Sequence, residues 1–446
     1  MAQAKKQPVA RTGTHATLED FLPGVARALP EGALNGINTA FRMWESLGIL
    51  RFVIIGLLLA SASLPLNPAK DEILVRTGFY ALAALGLNVV VGLAGLLDLG
   101  YVAFLAIGAY TTAFLTESTT TAHPFIVHPW VALPFAVGAA MVTGIMLGTP
   151  TLRLRGDYLA IVTLGFHEIV RQTAKNLTVV NGARGVGNIP HPDFVLARPV
   201  ITVIGVALIA LAAWLALRAL KKKELEGTTA TVVALIWAGI LGVAGVILAT
   251  KESITETFGV LEPQKYWWVL VVFMMLAVFM VGRLKDSRIG RAWEAIREDE
   301  VAAAAMGIPV VKMKLYAFAI GASTSGLAGW ALAVKVGFIN PDTFPLLQSI
   351  LVLCAVVIGG IGSSLGALVG AAIVFGLPEL LRDVGTEDIL GFDLITGRIA
   401  IFGVLLVVMM VFRPGGLISS TRRRAELGGG SGDIAAEAID SRIPGE

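Results

Sequence analysis

Cysteine and charge are both scarce in this chain of 446 residues. Its single cysteine, Cys354, excludes an intrachain disulfide and a metal cluster held by cysteines. Charged residues make up 15% of the chain, against about 25% in a soluble globular domain. The formal net charge of +3 gives no indication of a nucleic-acid partner.

Motifs for nucleotide or metal chemistry are absent from the sequence as well. It has no Gly-x-x-x-x-Gly-Lys-Ser/Thr phosphate loop and no His-Glu-x-x-His zinc motif. No pairing of a nucleophile with a general base stands out. We therefore expect a protein that is not an enzyme, has no catalytic or metal-binding residues, binds no cofactor and cannot hydrolyse ATP alone.

Apolar sequence, in contrast, is abundant. The chain is 56% hydrophobic with a mean hydropathy of +0.78. Several apolar runs approach the length of about 20 residues that crosses a bilayer, and they do not alternate as barrel strands would. The sequence predicts an all-α polytopic integral membrane protein with about 12 transmembrane helices, some of them broken. The predicted crossings are 49–66, 73–93, 97–115, 130–148, 157–173, 200–217, 230–250, 266–281, 315–334, 347–358, 365–381 and 399–412.

Lysine and arginine are distributed unevenly between the connecting segments. The predicted loops 116–129 and 337–345 contain none. Basic residues concentrate in the N-terminal extension 1–48, the loop 283–313 and the C-terminal tail 413–446. By the positive-inside rule, both termini and this loop face the cytoplasm of a plasma (inner) membrane. The extension also has a weakly amphipathic stretch, which lies on the membrane surface or belongs to a disordered tail.

Two predicted crossings, within the transmembrane domain 49–412, are interrupted by glycine and polar residues. Irregular backbone at membrane depth is tolerated only inside protein or beside a cavity, so we expect the two breaks to meet in the bundle interior. They indicate a translocation path, or they only permit close helix packing. Asp98 is either functional or a cap that accepts backbone N–H groups. The candidate path residues are Asn88, Gly92, Gly95, Asp98, Gly359, Gly360, Gly362, Ser363 and Ser364.

Other residues of the spans receive simpler interpretations. Glu168 and Arg171 are three residues apart and are expected to pair on one helix face. His167 is expected to be a satisfied or interfacial histidine. A stripe of small residues every fourth position predicts close helix packing. The stripe consists of Gly321, Ser325 and Gly329.

A charged helical segment, Gly290–Gly307, lies between two apolar runs. It is rich in good helix formers and amphipathic, with Trp293, Ile296, Ala303 and Ala304 on roughly one face. Its acidic residues argue against a helix lying on anionic lipid, so we expect the apolar face to dock into a protein groove. The candidate contact residues are Gly290, Arg291, Trp293, Glu294, Ile296, Arg297, Glu298, Asp299, Glu300, Ala303 and Gly307.

Four ordered blocks resemble the LivM-type permeases of high-affinity branched-chain amino acid ABC importers. They are Ala84–Tyr110, Leu152–Phe166, Gly290–Glu300 and Arg413–Leu417, the last reading Arg-Pro-Gly-Gly-Leu. The resemblance implies a subunit that carries leucine, isoleucine or valine from periplasm to cytoplasm. It also implies a LivH-like second permease, LivG-like and LivF-like ATPases that bind ATP-Mg, and a periplasmic amino-acid-binding protein.

The resemblance further implies that Gly290–Gly307 is the coupling helix that docks on an ATPase. Glu300 stands one place earlier than the glutamate of the general Glu-Ala-Ala motif, which leaves its role open. The chain also departs from the family by an extra helical hairpin at about 221–265 and by its N-terminal extension. Two alternatives remain open: an ABC permease for urea, amides or another small solute, and an ion-coupled secondary transporter.

Overall fold

The computed structural model describes residues 68–117, 126–151, 157–196, 254–257 and 262–379, together with 403–404, 407 and 416–418. Within these residues the chain is helical apart from one short ribbon and several turns. The helices are α1 (Pro68–Leu87), α2 (Val102–Thr116), α3 (Pro129–Thr151), α4 (Asp157–Asn176), α5 (Pro263–Lys285), α6 (Arg288–Glu298), α7 (Glu300–Ala305), α8 (Val310–Val336), α9 (Leu346–Gly359) and α10 (Ser364–Ala371).

The described part contains five helical stretches that are long and apolar enough to cross a membrane. They are Lys70–Leu93, Pro129–Pro150, Pro263–Lys285, Val310–Val336 and Pro341–Gly359. Two shorter apolar helices, Val102–Thr116 and Ser364–Glu379, fall where crossings are predicted. A polytopic helical membrane protein is thereby confirmed. The crossings at 49–66, 200–217 and 230–250, and all of 399–412 except residues 403–404 and 407, lie outside the described residues, so the number 12 stays a prediction.

Helix α8 lies at the centre of the bundle and packs against α1, α2 and α3. Its small residues permit this approach, as the sequence predicts. A Cβ atom added to Gly329 would lie 2.8 Å from the Ala109 backbone nitrogen, and one added to Gly326 would lie 2.6 Å from the Ala140 side chain. Ser325, beside Gly326, is fully buried. Close backbone contact therefore replaces side-chain interdigitation along this helix.

A second compact unit comprises residues 191–260. Its described part is an antiparallel ribbon of β1 (Asp193–Leu196) and β2 (Ile254–Thr257), in which Asp193 pairs with Thr257. The sequence did not predict this short ribbon, and the predicted helical fold class is confirmed for the rest of the described residues. The sequence signal was weak because each strand has only four residues. Most of the predicted extra hairpin lies outside the described residues and stays a prediction.

The segment Gly290–Gly307 forms two helices, α6 and α7, where the sequence predicts one. Asp299 interrupts it in an extended conformation, with φ −151° and ψ 109°. Its carboxylate accepts hydrogen bonds from the backbone nitrogens of Val301 (2.8 Å) and Ala302 (3.0 Å). The aspartate therefore ends α6 and caps α7, since aspartate stabilises a helix N-terminus better than a helix interior.

Candidate functional site

The first break follows α1 directly. Residues Asn88–Leu93 form one wide π turn, after which the backbone leaves the helix and Gly95 takes a positive φ of 71°. Asn88 is fully buried. Gly95 packs against the side chain of Arg297, because an added Cβ atom would lie 2.8 Å from the Arg297 Cγ atom. This interruption therefore needs glycine for backbone conformation and for space.

The second break is the turn of a helical hairpin between α9 and α10. Gly360 and Gly362 have φ values of +123° and +82°. The two helices touch through backbone, since a Cβ atom at Gly366 would lie 2.6 Å from the Gly359 carbonyl oxygen. The Ser363 hydroxyl accepts a hydrogen bond from the Gly366 nitrogen (3.1 Å) and caps α10, which begins at Ser364.

The two breaks meet, as the sequence predicts. The Gly362 backbone nitrogen donates a hydrogen bond of 2.8 Å to the Asn88 Oδ1 atom, across 274 residues of sequence. A Cβ atom added to Gly92 would lie 2.6 Å from the same nitrogen. We call the two segments Asn88–Asp98 and Gly359–Ser364 the break junction. The contact leaves the Asn88 Nδ2 atom buried without a hydrogen-bond partner in the structure as described.

Residues 416–418 also bind the break junction. The backbone nitrogens of Leu417 and Ile418 donate to the carbonyl oxygens of Ile358 and Gly359, both at 2.9 Å. Gly416 has a φ of +77°, and a Cβ atom there would lie 2.5 Å from the Gly360 Cα atom. The second glycine of the Arg-Pro-Gly-Gly-Leu block, Gly416, thus has a structural reason that the sequence did not supply.

Asp98 is fully buried, and its role differs in detail from the predicted helix cap. Its Oδ1 atom accepts from the Gly100 nitrogen (2.9 Å), in the turn before α2. The first amide of α2, that of Val102, donates to the Ser349 hydroxyl (3.1 Å) instead. Asp98 therefore shapes the end of the first break, and a serine from α9 caps the helix.

The apolar face of α6 packs onto this chain's own bundle. Trp293 is completely buried, and its Nε1 atom donates to the Met313 carbonyl oxygen (2.7 Å). Ile296 and Ala303 are 6% and 4% exposed, whereas Ala304 is exposed. The protein groove predicted for Trp293 and Ile296 therefore belongs to this chain, and docking of the segment on an ATPase stays a prediction. Gly290 is also buried, and a Cβ atom there would meet the Leu284 and Lys285 carbonyl oxygens.

One side chain joins α6 to the break junction. The Arg297 Nη1 atom donates a hydrogen bond of 2.8 Å to the Gly92 carbonyl oxygen. The aliphatic stem of the same arginine covers Gly95. The Gly92 carbonyl is available for this bond because the helical turn ends at Leu93. This hydrogen bond joins α6 directly to the first break.

A partly buried ion pair fixes α7 to α8. The Lys314 Nζ atom lies 2.8 Å from the Glu300 Oε2 atom, and the two side chains are 6% and 32% exposed. This pair gives Glu300 a structural role where the sequence left it open. Gly307 ends the segment with a φ of +83°.

The opposite side of α6 and α7 is exposed. Glu298 and Asp299 are exposed, Glu294 is half-buried, and the exposed Arg291 donates to the Asp286 carbonyl oxygen (2.9 Å). Two large apolar side chains stand among them, since Val301 is 62% exposed and Met306 is 83% exposed. This mixed acidic and apolar surface, rather than the face with Trp293, is the one available to a partner.

A cavity between α2, α4 and the turn Pro341–Thr343 was missed by sequence analysis. His167, expected to be satisfied or interfacial, is 1% exposed and lines it. Neither of its ring nitrogens has a hydrogen-bond partner in the described structure. The predicted pair of Glu168 and Arg171 forms at 3.5 Å, but the shorter bond of Arg171 goes to Asp342 (2.8 Å). The useful signal was a histidine four residues before an arginine in a predicted span.

Apolar crossings, two interior breaks and a helical pair bound to one break define a membrane protein with the architecture of a transport permease. Residues 70–413 match the family described as branched-chain amino acid transport system / permease component. The chain belongs to this family. It is 34% identical to the LivM permease protein of Salmonella typhimurium over 383 residues, which is 85% of this chain and 77% of the relative.

Other relatives of this chain are also permease proteins. The LivM protein of Escherichia coli K12 is 34% identical over 384 residues, 85% of this chain and 78% of the relative. The LivH permease protein of Salmonella typhimurium is 28% identical over 176 residues, 39% of this chain and 52% of the relative. The curated names of these proteins describe high-affinity branched-chain amino acid transport systems. No solved structure matches this chain.

Proposed function

We propose that this protein is the LivM-type permease subunit of an ATP-driven importer that carries branched-chain amino acids across the bacterial inner membrane. The family membership and the curated relatives support the substrate class. The observation that carries the mechanism is the hydrogen bond from Arg297 to the Gly92 carbonyl oxygen, which joins the charged helical pair to the break junction.

The partners follow from this assignment. A LivH-like permease completes the pair, because relatives of both kinds match this chain. LivG-like and LivF-like ATPases bind ATP-Mg, and a periplasmic binding protein delivers the amino acid. Both termini and α6–α7 face the cytoplasm, in agreement with the basic residues of these segments.

Coupling works by alternating access. The ATPases bind the exposed side of α6 and α7, where Val301, Met306 and Glu298 stand. Trp293 and the pair of Lys314 with Glu300 hold these helices to α8, so the helical pair moves with the bundle. Arg297 passes the movement to the first break, and Asn88 passes it to the second. ATP binding then selects between permease states, because each state contacts the ATPases differently.

The proposed path for the amino acid runs beside the break junction. Its candidate residues are buried or half-buried except for Gly95, which is exposed, and the Asn88 Nδ2 atom has no hydrogen-bond partner in the described part of the chain. A polar solute that passes the break junction would form hydrogen bonds with such atoms and with the irregular backbone beside them.

The test is to solubilise the unchanged chain and the Val301→Asp variant and to measure which partners co-purify with each. A charge at this exposed position should weaken recovery of the ATPases and leucine uptake, while the second permease is still recovered. The matched control is Val179→Asp, which changes an apolar residue 44% exposed in the turn after α4. Equal recovery of the ATPases with both variants would contradict this docking surface. Leucine uptake that persists without any ATPase would contradict the importer itself.

A further inference from the structure

The cavity between α2, α4 and the turn Pro341–Thr343 contains an unusual concentration of unused polar atoms. Both ring nitrogens of His167, the Tyr110 hydroxyl and the Arg171 Nε atom are buried without a hydrogen-bond partner within the described structure. The backbone of Phe344 and of Gly100 lies near the histidine ring but forms no hydrogen bond of ordinary geometry with it. Buried polar groups are normally paired with protein, water or a ligand, so these three residues give the cavity the donors and acceptors that a small polar ligand needs.

The rest of the lining is apolar or charged. Ala103, Ala106 and Phe344 present aliphatic and aromatic surface to the cavity. At its edge, Arg171 lies 2.8 Å from Asp342, and Lys175 lies 3.1 Å from the same carboxylate. Both signs of charge therefore stand beside an apolar wall. This combination matches a small zwitterion with an aliphatic side chain, since few polar groups suffice to orient such a ligand.

We propose that this cavity is a binding site for an aliphatic amino acid, with the carboxylate on Arg171, His167 and Tyr110 and the ammonium group toward Asp342. The site rests on the proposed transport function and specifies where that solute binds. Arginine Nε–H and tyrosine O–H groups are donors that suit a carboxylate. The His167 ring donates a hydrogen bond to the carboxylate when the ring nitrogen that faces the ligand carries a hydrogen.

The position of the cavity fits uptake from outside. Helix α8 has 27 residues and is about 40 Å long. Lys314 near its start contacts α7, whereas the turn Pro341–Thr343 follows its end. The cavity therefore lies at the end of the bundle opposite the helical pair, on the periplasmic side of the proposed orientation.

In this conformation the site is nearly closed. The cavity measures about 220 Å³ including its open mouth, and its enclosed part has room for about one water molecule. The rings of Tyr110 and Phe344 lie 6.1 Å apart between centroids and narrow it. An amino acid would enter after these rings separate, so occupancy of the site is linked to the state of the permease.

The experiment measures equilibrium binding of radiolabelled L-leucine to the assembled permease–ATPase complex without the binding protein. His167→Gln, Arg171→Lys and Tyr110→Phe are each expected to weaken binding about tenfold, as for loss of a hydrogen bond to a charged group. The matched controls His128→Gln, Arg184→Lys and Tyr158→Phe change exposed residues and are expected to bind as the intact chain does.

Competition separates a binding role from a structural one. Leucinamide lacks the carboxylate, 4-methylpentanoate lacks the ammonium group, and urea lacks both. Leucine should compete best with the intact chain, and Arg171→Lys should reduce its advantage over leucinamide. Equal binding by all variants in a system that still imports leucine would overturn the site alone, as would absence of specific binding up to millimolar leucine. Failure of the complete intact system to import leucine would instead overturn the proposed function.

Discussion

Replacing Arg297 by alanine should separate ATP hydrolysis from transport. The substitution removes the hydrogen bond of 2.8 Å to the Gly92 carbonyl oxygen and the cover that the arginine stem gives to Gly95. It leaves Trp293, which holds α6 in place through the Met313 carbonyl, unchanged. The helix should therefore still fold and still bind the ATPases, but its link to the first break should be lost.

The free energy lost in Arg297→Ala follows from the kind of hydrogen bond that is removed. A hydrogen bond from a charged donor contributes about 1.5–3 kcal/mol, and the lower end applies because Arg297 is only half-buried. A coupling free energy reduced by about 1.5 kcal/mol corresponds to roughly a tenfold change in the equilibrium between permease states. Leucine uptake per ATP hydrolysed is expected to fall by that order.

The assay is leucine uptake and ATP hydrolysis by the complete importer in proteoliposomes, with Arg184→Ala as the matched control because that arginine is exposed in a turn far from α6. Arg297→Lys should recover part of the uptake, since lysine retains the charge but not the planar donor group. Normal uptake per ATP by Arg297→Ala would refute the proposed link. A parallel loss of uptake and ATPase recovery would assign the arginine to docking instead.

Two further predictions concern stability, measured as the melting temperature of the solubilised chain. Gly92→Ala should destabilise it by about 1–3 kcal/mol through overpacking, because the new Cβ atom would lie 2.6 Å from the Gly362 nitrogen. The control Gly138→Ala should have no such cost, since nothing lies within 4 Å of its added Cβ atom. Equal melting temperatures of the two variants would contradict the tight contact at Gly92. Glu300→Gln should be more destabilising alone than together with Lys314→Met, because the single change leaves a buried ammonium group unpaired; additive effects in the double-mutant cycle would show that the pair is not coupled.

Local features of the sequence predicted much of the fold. Apolar runs gave the helices of the described bundle, and the small-residue stripe of α8 gave its packing face. The division of Gly290–Gly307 at Asp299 was missed because good helix formers on both sides outweighed one aspartate. Yet the signal was present, since an aspartate followed by glutamate is a common helix start.

Long-range contacts explain what the sequence could not supply. Glycine-rich breaks predicted that two interruptions meet, but the atoms that join them, Asn88 Oδ1 and the Gly362 nitrogen, depend on how three helices pack. The same holds for the apolar face of α6. Periodicity showed that this face is buried, and only packing shows that its groove belongs to the same chain. Likewise, no local pattern indicates that the His167 nitrogens lack partners.

The irregular segment between α1 and α2, which contains the first break, lies between α6 and the proposed amino-acid site. Within it, the Gly92 carbonyl oxygen accepts a hydrogen bond from Arg297, and two residues beyond Asp98 a Cβ atom added to Gly100 would lie 3.3 Å from the His167 Cβ atom. One irregular segment therefore touches both regions. Coupling between two sites is reciprocal. If the proposed ATPases stabilise one conformation of this segment, ATPase binding must change the affinity for solute by the same factor by which solute changes the affinity for the ATPases. A continuous helix in its place would be stiffer, which gives a physical reason for the glycines and the π turn at this position.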